Sequence, residues 1–143
     1  MDKTLVVVQG RIKSQRLSAK VRLPLDGIPI LAFLLRRLKA CLPAQRHRIV
    51  LATTTHKDDD ITAVWGNEEG VEVIRGSEQD VLSRYILCAN RFDSQLVVRV
   101  TADNPFTCPV MLDALVKTVK KNGADYGYCE NIPFGVHIDV FTP

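Results

Sequence analysis

Hydrophobic and polar positions along this chain follow two different periods. Short β-branched runs recur at residues 4–8 (TLVVV), 48–54 (RIVLATT), 71–76 (VEVIRG) and 95–100 (QLVVRV). Such runs are typical of strands buried on both faces. Between and after them, residues 29–42, 77–92 and 108–123 carry apolar side chains at helical spacing. The alternation predicts an α/β fold in which helices cover both faces of a mostly parallel sheet.

A last segment, residues 134–142 (FGVHIDVFT), alternates as a further strand would. It places His137 and Asp139 on one face together with Phe141. In parallel sheets, ligands bind at the carboxyl ends of the strands. We therefore expect the functional residues to follow directly after the strands.

Composition narrows the class of protein. The chain has 143 residues, of which 46% are hydrophobic and 24% charged, as expected for one globular domain with one core. Its formal charge of +3 is too small for electrostatic wrapping of nucleic acid, and few aromatics are present for base stacking, which disfavours an RNA-binding module. The N-terminal apolar run is too short for a signal sequence or a membrane span. Four widely separated cysteines suggest reduced thiols, so we expect a cytoplasmic protein without a membrane or nucleic-acid partner.

The segment after the first strand, QGRIKSQRLSAK (residues 9–20), is basic and contains no acid. An arginine can donate two parallel hydrogen bonds to phosphate oxygens, and a lysine supplies a point charge. Gly10 lets the backbone come close to a ligand, so the segment is suited to bind a polyphosphate. The alternative is a solvated basic loop, and the position at a strand's carboxyl end favours the anion site. The spacing matches neither a P-loop nor a Rossmann dinucleotide motif.

Candidate ligands for a metal follow the fourth strand. Asp103 in TADNPF is suited to Mg²⁺, which binds one or two carboxylates and completes its octahedron with phosphate oxygens and waters. The alternative is a turn or helix-capping role for Asp103. His137 and Asp139 could complete a metal or substrate site, although a lone histidine in a strand is more often an ordinary polar residue.

The second and third strands end in weaker signals. Thr53 and Thr54 could bind a base or ribose, and the Gly76-Ser77 turn offers free backbone N–H groups. The acidic run at residues 58–60 is typical of a helix's first turn, and we assign it no chemistry.

Five collinear motifs resemble the cytidylyltransferases of the spore coat polysaccharide biosynthesis protein F type, relatives of the enzymes that make CMP-activated sialic acid and CMP-activated 3-deoxy-manno-octulosonate. The motifs are VVQGRIKSQRLSAKVRLPLDGIPIL, IVLATTTHKDDDI, VIRGSEQDVLSRY, VVRVTADNPFTCPVMLDAL and GVHIDVFT. The resemblance implies a three-layer nucleotide-diphospho-sugar transferase fold, Rossmann-like. It also implies CTP and a sugar-acid-like acceptor as substrates, Mg²⁺ as cofactor, pyrophosphate as product and a homodimer as the expected assembly.

The resemblance also implies site residues. Arg16 and Lys20 are the expected catalytic cations, and Asp103 and Asp139 are the expected metal ligands. The nucleotide-binding residues are expected to be Gln9, Gly10, Arg11, Ser14, Thr53, Thr54, Arg75, Gly76, Ser77 and Arg84.

The chain departs from the family inside these motifs. Ser18 stands in place of proline, Ala19 and Ala102 in place of glycine, Gly10 in place of alanine and His137 in place of an acid. A Cβ at position 19 or 102 prevents a ligand from approaching the backbone as closely as a glycine would allow. We also expect residues 1–143 to form a single nucleotidyltransferase domain without the family's C-terminal region. The departures leave a second hypothesis open, a catalytically weak or inactive nucleotide-binding domain of the same fold.

Overall fold

A computed structural model describes residues 3–13 and 20–143. Within these ranges the helices are α1 (Ile30–Cys41), α2 (Asp60–Glu68), α3 (Val81–Phe92) and α4 (Pro109–Asn122). The strands are β1 (Thr4–Gln9), β2 (Pro24–Leu25), β3 (Ile28–Pro29), β4 (His47–Thr54), β5 (Glu72–Gly76), β6 (Val97–Thr101), β7 (Tyr126–Tyr128) and β8 (Asp139–Phe141). Single 3₁₀ turns occupy Lys20–Arg22 and Lys57–Asp59.

The main sheet has six strands in the order β5-β4-β1-β6-β8-β7. Strands β5, β4, β1 and β6 run parallel, so their carboxyl ends meet at one edge. Strand β8 is antiparallel to both β6 and β7. The predicted α/β fold with a mostly parallel sheet is therefore confirmed, and an antiparallel pair extends it beyond β6.

Two apolar layers enclose this sheet. Val6 and Val8 of β1 lie on the face that packs against leucines and valines of α1 and α4. Leu5 and Val7 lie on the opposite face with residues of α3 such as Cys88. Because successive residues of a strand point to opposite faces, a continuous apolar run in β1 fills both layers. Each such fully buried aliphatic side chain stabilises the fold by about 1.5–3 kcal/mol.

Two predicted element boundaries were wrong. Helix α3 was expected to begin near Ser77, but its N-cap is Asp80, whose carboxylate accepts a hydrogen bond from the Ser83 backbone N–H. The Ser77 hydroxyl instead accepts a hydrogen bond from the Asp80 N–H at 3.0 Å. The strand expected over residues 134–142 is confined to Asp139–Phe141, so His137 lies just before it. In both places the apolar and polar pattern predicts a longer element, but side-chain hydrogen bonds or loop structure shorten it.

The structure contains no helix in its described ranges that is long and apolar enough to cross a membrane. The four cysteines are free thiols. Cys88 is fully buried on α3, and burial raises its thiol pKa to about 11. A thiol with so high a pKa is a packing residue rather than a nucleophile.

His47 links stability to pH at the amino end of β4. Burial lowers its pKa, and the carboxylate of Asp113, 3.5 Å from Nε2, opposes that shift. Because the pKa is lower in the folded state, the unfolded state binds the proton first, and stability falls as the pH drops through about 6.5. We expect acidification from about pH 7.5 to about pH 5.5 to lower the melting temperature of the wild type more than that of His47→Gln. Equal pH dependence in calorimetric melts of the two proteins would contradict this expectation.

Candidate functional site

A cleft of about 340 Å³ opens at the carboxyl edge of the sheet, beside β6 and the segment that leads into β8. Its lining is mostly polar and includes cationic and anionic side chains. The lining residues are Lys20, Arg99, Thr101, Asp103, Asn104, Phe134, Gly135, His137 and Asp139. The cleft thus lies where the topology predicts a ligand site, and it contains one of the two predicted catalytic cations together with both predicted metal ligands.

Lys20 and Asp103 form an ion pair inside this cleft. The Lys20 Nζ donates to Asp103 Oδ2 at 3.0 Å, joining residues 83 positions apart in the sequence. Both side chains are partly exposed. Asp103 does not cap the next helix, because the N-cap of α4 is Cys108. The pair therefore places an accessible cation and an accessible carboxylate side by side.

A second ion pair lies in the same cleft, between β6 and β8. Arg99 and Asp139 are partners across the β6–β8 ladder, and Arg99 Nη1 donates to Asp139 Oδ2 at 2.9 Å. The hydroxyl of Tyr126 donates to the other carboxylate oxygen, Oδ1, at 2.8 Å. Asp139 therefore has both oxygens engaged and fixes the Arg99 guanidinium at the cleft wall.

The aromatic residue behind this pair is neutral. Tyr85 is buried, its ring packs edge-on against Phe141 at a centroid distance of 5.8 Å, and burial raises its phenol pKa to about 12. The positive charge of Arg99 acts in the opposite direction. Tyr85 consequently supports the wall of the cleft without adding charge to it.

The donor set of the cleft fits a divalent metal held by a single protein carboxylate. Asp103 contacts Lys20 through Oδ2, and its Oδ1 has no hydrogen-bond partner among the described residues. Oδ1 is therefore available to a cation. Asp139 already accepts one hydrogen bond at each carboxylate oxygen, from Arg99 and from Tyr126. No group of three or more His, Cys, Asp or Glu side chains in residues 3–13 and 20–143 could hold a metal alone. Mg²⁺ commonly uses one carboxylate and takes its other ligands from phosphates and waters.

Residues 9–13 of the first-strand segment (residues 9–20) contact β4 and the β5–α3 connection. Gln9 ends β1, and the Gly10 N–H donates to Ala52 O on the neighbouring strand at 3.1 Å. Arg11 donates from Nη1 to the backbone oxygen of Glu78 at 3.2 Å, which ties the segment to the β5–α3 connection. Predicted residues Ser14 and Arg16, like Ser18 and Ala19, lie outside the described residues.

Three other predicted nucleotide-binding side chains, those of Thr54, Arg75 and Arg84, hold neighbouring segments together. Thr53 and Thr54 are fully buried, and Thr54 Oγ1 donates to a carboxylate oxygen of Asp59. Arg75 donates to the backbone oxygen of Thr54 at 2.8 Å, and the fully buried Arg84 donates to that of Ser77. Their roles in nucleotide binding stay predictions, and in this conformation the two threonines would act by positioning rather than by side-chain contact.

Comparison with known proteins decides the family. The family profile described as cytidylyltransferase matches residues 5–143. The chain belongs to the cytidylyltransferase family. A member of similar sequence is the spore coat polysaccharide biosynthesis protein SpsF of Bacillus subtilis, 34% identical over 138 residues, which cover 95% of this chain and 58% of SpsF. The resemblance drawn from the motifs is confirmed.

Solved structures support the same fold. A cytidylyltransferase from Leptospira borgpetersenii matches with a TM-score of 0.90 and 32% identity, covering 99% of this chain and 61% of the other. CMP:2-keto-3-deoxy-manno-octonic acid synthetase, solved with CTP, matches with a TM-score of 0.76 at 14% identity over 98% of this chain and 74% of its own. The chain therefore spans about 60% of the length of SpsF and of the Leptospira protein.

Two of the departures from the family's motifs meet in space. A Cβ added to Gly10 would lie 2.5 Å from the Cβ of Ala102, closer than two non-bonded carbon atoms can approach. Ala102 is buried, and its backbone N–H donates to Gln9 O at 2.9 Å, so the two strands cannot separate freely. Only one methyl group fits between these positions. In this chain the methyl group comes from residue 102, whereas the family pattern places it at residue 10.

Sequence reasoning missed Asp59. The acidic run 58–60 was assigned no chemistry, yet Asp59 is buried and accepts a hydrogen bond from the Ile12 backbone N–H at 2.7 Å. Of the acidic run expected in a helix's first turn, Asp60 begins α2, whereas Asp58 and Asp59 lie in the preceding 3₁₀ turn. A local pattern alone cannot distinguish a solvated acidic turn from one whose middle residue points into the protein.

Proposed function

We propose that this chain carries the nucleotide-binding part of a cytoplasmic CTP-dependent nucleotidyltransferase. Its reaction joins CMP to a sugar acid or related acceptor for surface polysaccharide and releases pyrophosphate. The observation that carries the proposal is the Lys20–Asp103 pair, held at 3.0 Å in a cleft at the carboxyl edge of the sheet in a member of the cytidylyltransferase family. Such a pair suits a substrate that brings both negative charge and a divalent cation.

In the proposed reaction an acceptor oxygen attacks the α-phosphorus of CTP. The new P–O bond forms as the bond to the β-phosphate oxygen breaks, the electron pair leaves with pyrophosphate, and the acceptor hydroxyl loses its proton. Lys20 would hold the leaving phosphates and offset their developing charge, and Arg11 and Arg16 would add further donors. Mg²⁺, held by Asp103 with Asp139 as the second predicted ligand, would neutralise phosphate charge and orient the phosphate chain. No covalent enzyme intermediate is required.

The acceptor is proposed to carry a negative charge. Lys20, Arg99 and His137 all line the cleft. Two related proteins are named for 3-deoxy-manno-octulosonate, an acid, with 26% identity over 122 residues in one case. An acidic acceptor would find Arg99 already oriented by Asp139, which reduces the entropic cost of binding. A homodimer stays a prediction that light scattering can test.

Calorimetric titration with CTP, ATP, GTP and UTP, each with and without Mg²⁺, tests the proposal without knowledge of the acceptor. We expect magnesium-dependent binding of CTP and much weaker binding of the other three nucleotides. Binding of ATP or GTP with equal affinity would overturn the choice of base. Absence of binding by any nucleotide would overturn the proposal for this chain.

Asp103→Asn separates the metal role of Asp103 from a turn role. The amide keeps the size of the side chain but removes the charge that Mg²⁺ requires, so we expect the apparent magnesium affinity in the presence of CTP to fall by at least about tenfold. Asp113→Asn, which alters an aspartate paired with Lys117 on α4, is the matched control and should leave the magnesium titration unchanged. Superimposable titrations of wild type and Asp103→Asn would remove Asp103 from the metal site.

A catalytically weak nucleotide-binding domain of the same fold is the second candidate. Two observations favour it: both oxygens of Asp139 are engaged by Arg99 and Tyr126, and His137 lines the cleft where the family has an acid. This candidate predicts that CTP binds but that no acidic sugar acceptor causes pyrophosphate release from it. Pyrophosphate release in a coupled assay distinguishes the two candidates.

A further inference from the structure

A buried carboxylate lies beneath the first-strand segment. Asp59 is only 3% exposed, and its Oδ1 accepts a hydrogen bond from the Ile12 N–H at 2.7 Å. Its Oδ2 accepts one from Thr54 Oγ1, and the hydroxyl of buried Thr62 lies 3.5 Å from Oδ1. One carboxylate therefore joins the segment after β1, the end of β4 and the start of α2.

Asp59 is placed as a helix N-cap but does not act as one. It is the residue that precedes α2, and its side chain makes no capping hydrogen bond to that helix. Helix stability alone therefore does not account for a carboxylate at this position. Removing a carboxylate from water is costly unless hydrogen bonds compensate, and the donors here are the Ile12 N–H and the hydroxyls of Thr54 and Thr62.

Arg84 holds the β5–α3 connection. This fully buried arginine donates from Nη1 to the backbone oxygens of Ser77 and Glu78, the latter at 3.4 Å. Burial lowers its pKa, and the carboxylates of Asp59 and Asp80 act in the opposite direction. Arg11 donates to the same Glu78 oxygen at 3.2 Å. Arg11 and Arg84 thus both contact the Glu78 oxygen, so the segment that Asp59 holds at Ile12 is also tied to the β5–α3 connection.

We propose that Asp59 is a positioning residue for the basic first-strand segment. By holding the Ile12 backbone it fixes Arg11 on one side and Lys13 on the other, so that their charges are oriented before a phosphate arrives. The consequence for nucleotide affinity rests on the proposed function, whereas the anchoring of Ile12 does not. An anchored segment loses less conformational freedom on binding, and affinity rises accordingly.

Asp59→Ala tests this role with two readouts. Without nucleotide, we expect tryptic cleavage after Arg11 and Lys13 to accelerate about tenfold or more, because the Ile12 N–H loses its charged partner. With CTP and Mg²⁺, calorimetry should show about tenfold or greater loss of affinity. Asp59→Asn retains a carbonyl oxygen for the Ile12 N–H and should restore slow cleavage to within about twofold of wild type.

Ser94→Ala is the matched control. Ser94 is also buried and donates to the backbone oxygen of Leu96 at 3.0 Å, but it lies before β6 at the opposite edge of the sheet. The Ser94→Ala variant should have a lower melting temperature than the wild type. Its rate of cleavage after Lys13 and its affinity for CTP should be unchanged. Equal acceleration in Ser94→Ala and Asp59→Ala would overturn the proposal, because it would indicate general destabilisation.

Amide hydrogen exchange of the wild type makes the test independent of whether Asp59→Ala folds. We expect the Ile12 amide to be protected, and exchange at the rate of an unstructured peptide would overturn the anchoring role. If the wild type binds no nucleotide, the proposed function fails, while protection of Ile12 and the cleavage pattern still decide whether Asp59 anchors the segment.

Discussion

Lys20→Ala is expected to reduce CTP-dependent pyrophosphate release by about a hundred- to a thousandfold, the usual consequence of removing one donor aimed at developing charge. Lys20 faces the cleft and is held 3.0 Å from Asp103. The substitution removes a cation and also leaves the Asp103 carboxylate without its partner. In the proposed reaction, unneutralised negative charge would then accumulate where pyrophosphate must leave.

Lys117→Ala is the control for the loss of a paired surface lysine. Lys117 lies 2.7 Å from Asp113 on the exposed side of α4, in an ion pair of the same kind as Lys20–Asp103. It should leave pyrophosphate release within about twofold, because exposed pairs contribute little to stability. Lys20→Arg should retain CTP binding but not full turnover, because the guanidinium is larger and planar. An unchanged rate in Lys20→Ala would remove Lys20 from the mechanism.

Local sequence pattern was sufficient for most of the fold. Continuous β-branched runs located β1 and β4 to within one residue at each end. The Gly123 stop signal was also correct, since Gly123 adopts a φ of 60° directly after α4. These features are determined locally: a strand buried on both faces is a continuous apolar run, and a left-handed helix stop is a glycine. Both can therefore be recognised from the residue types alone.

Features of the cleft that depend on distant residues were harder to predict. The motifs proposed Lys20 and Asp103 separately, but only parallel pairing of β1 with β6 brings their segments together. Nothing in the sequence near Asp139 indicates that Arg99 and Tyr126 occupy both of its oxygens. These contacts depend on strand register, which emerges from the whole sheet rather than from any one strand.

Gly10→Ala is expected to lower the free energy of unfolding by about 1–3 kcal/mol, the usual cost of overpacking a close-packed core. Its new methyl group would lie 2.5 Å from the Cβ of Ala102, and the backbone contacts between these strands prevent simple separation. Ala102→Gly alone should cost about 0.5–1 kcal/mol, because glycine loses more conformational freedom on folding. The double variant should be more stable than Gly10→Ala, since removing the Ala102 methyl group makes room for the new one.

Chemical denaturation of the wild type, both single variants and the double variant gives the coupling energy between the two positions. Ala52→Gly supplies a control for rescue, because Ala52 is buried on the other neighbouring strand and should not relieve the clash when combined with Gly10→Ala. Additive free energies for Gly10→Ala and Ala102→Gly would show that the strands adjust without strain. A favourable coupling would show that the departures at these two positions compensate each other sterically. In that case the alanine before Asp103 is no argument against activity, and His137 becomes the departure that most needs a functional test.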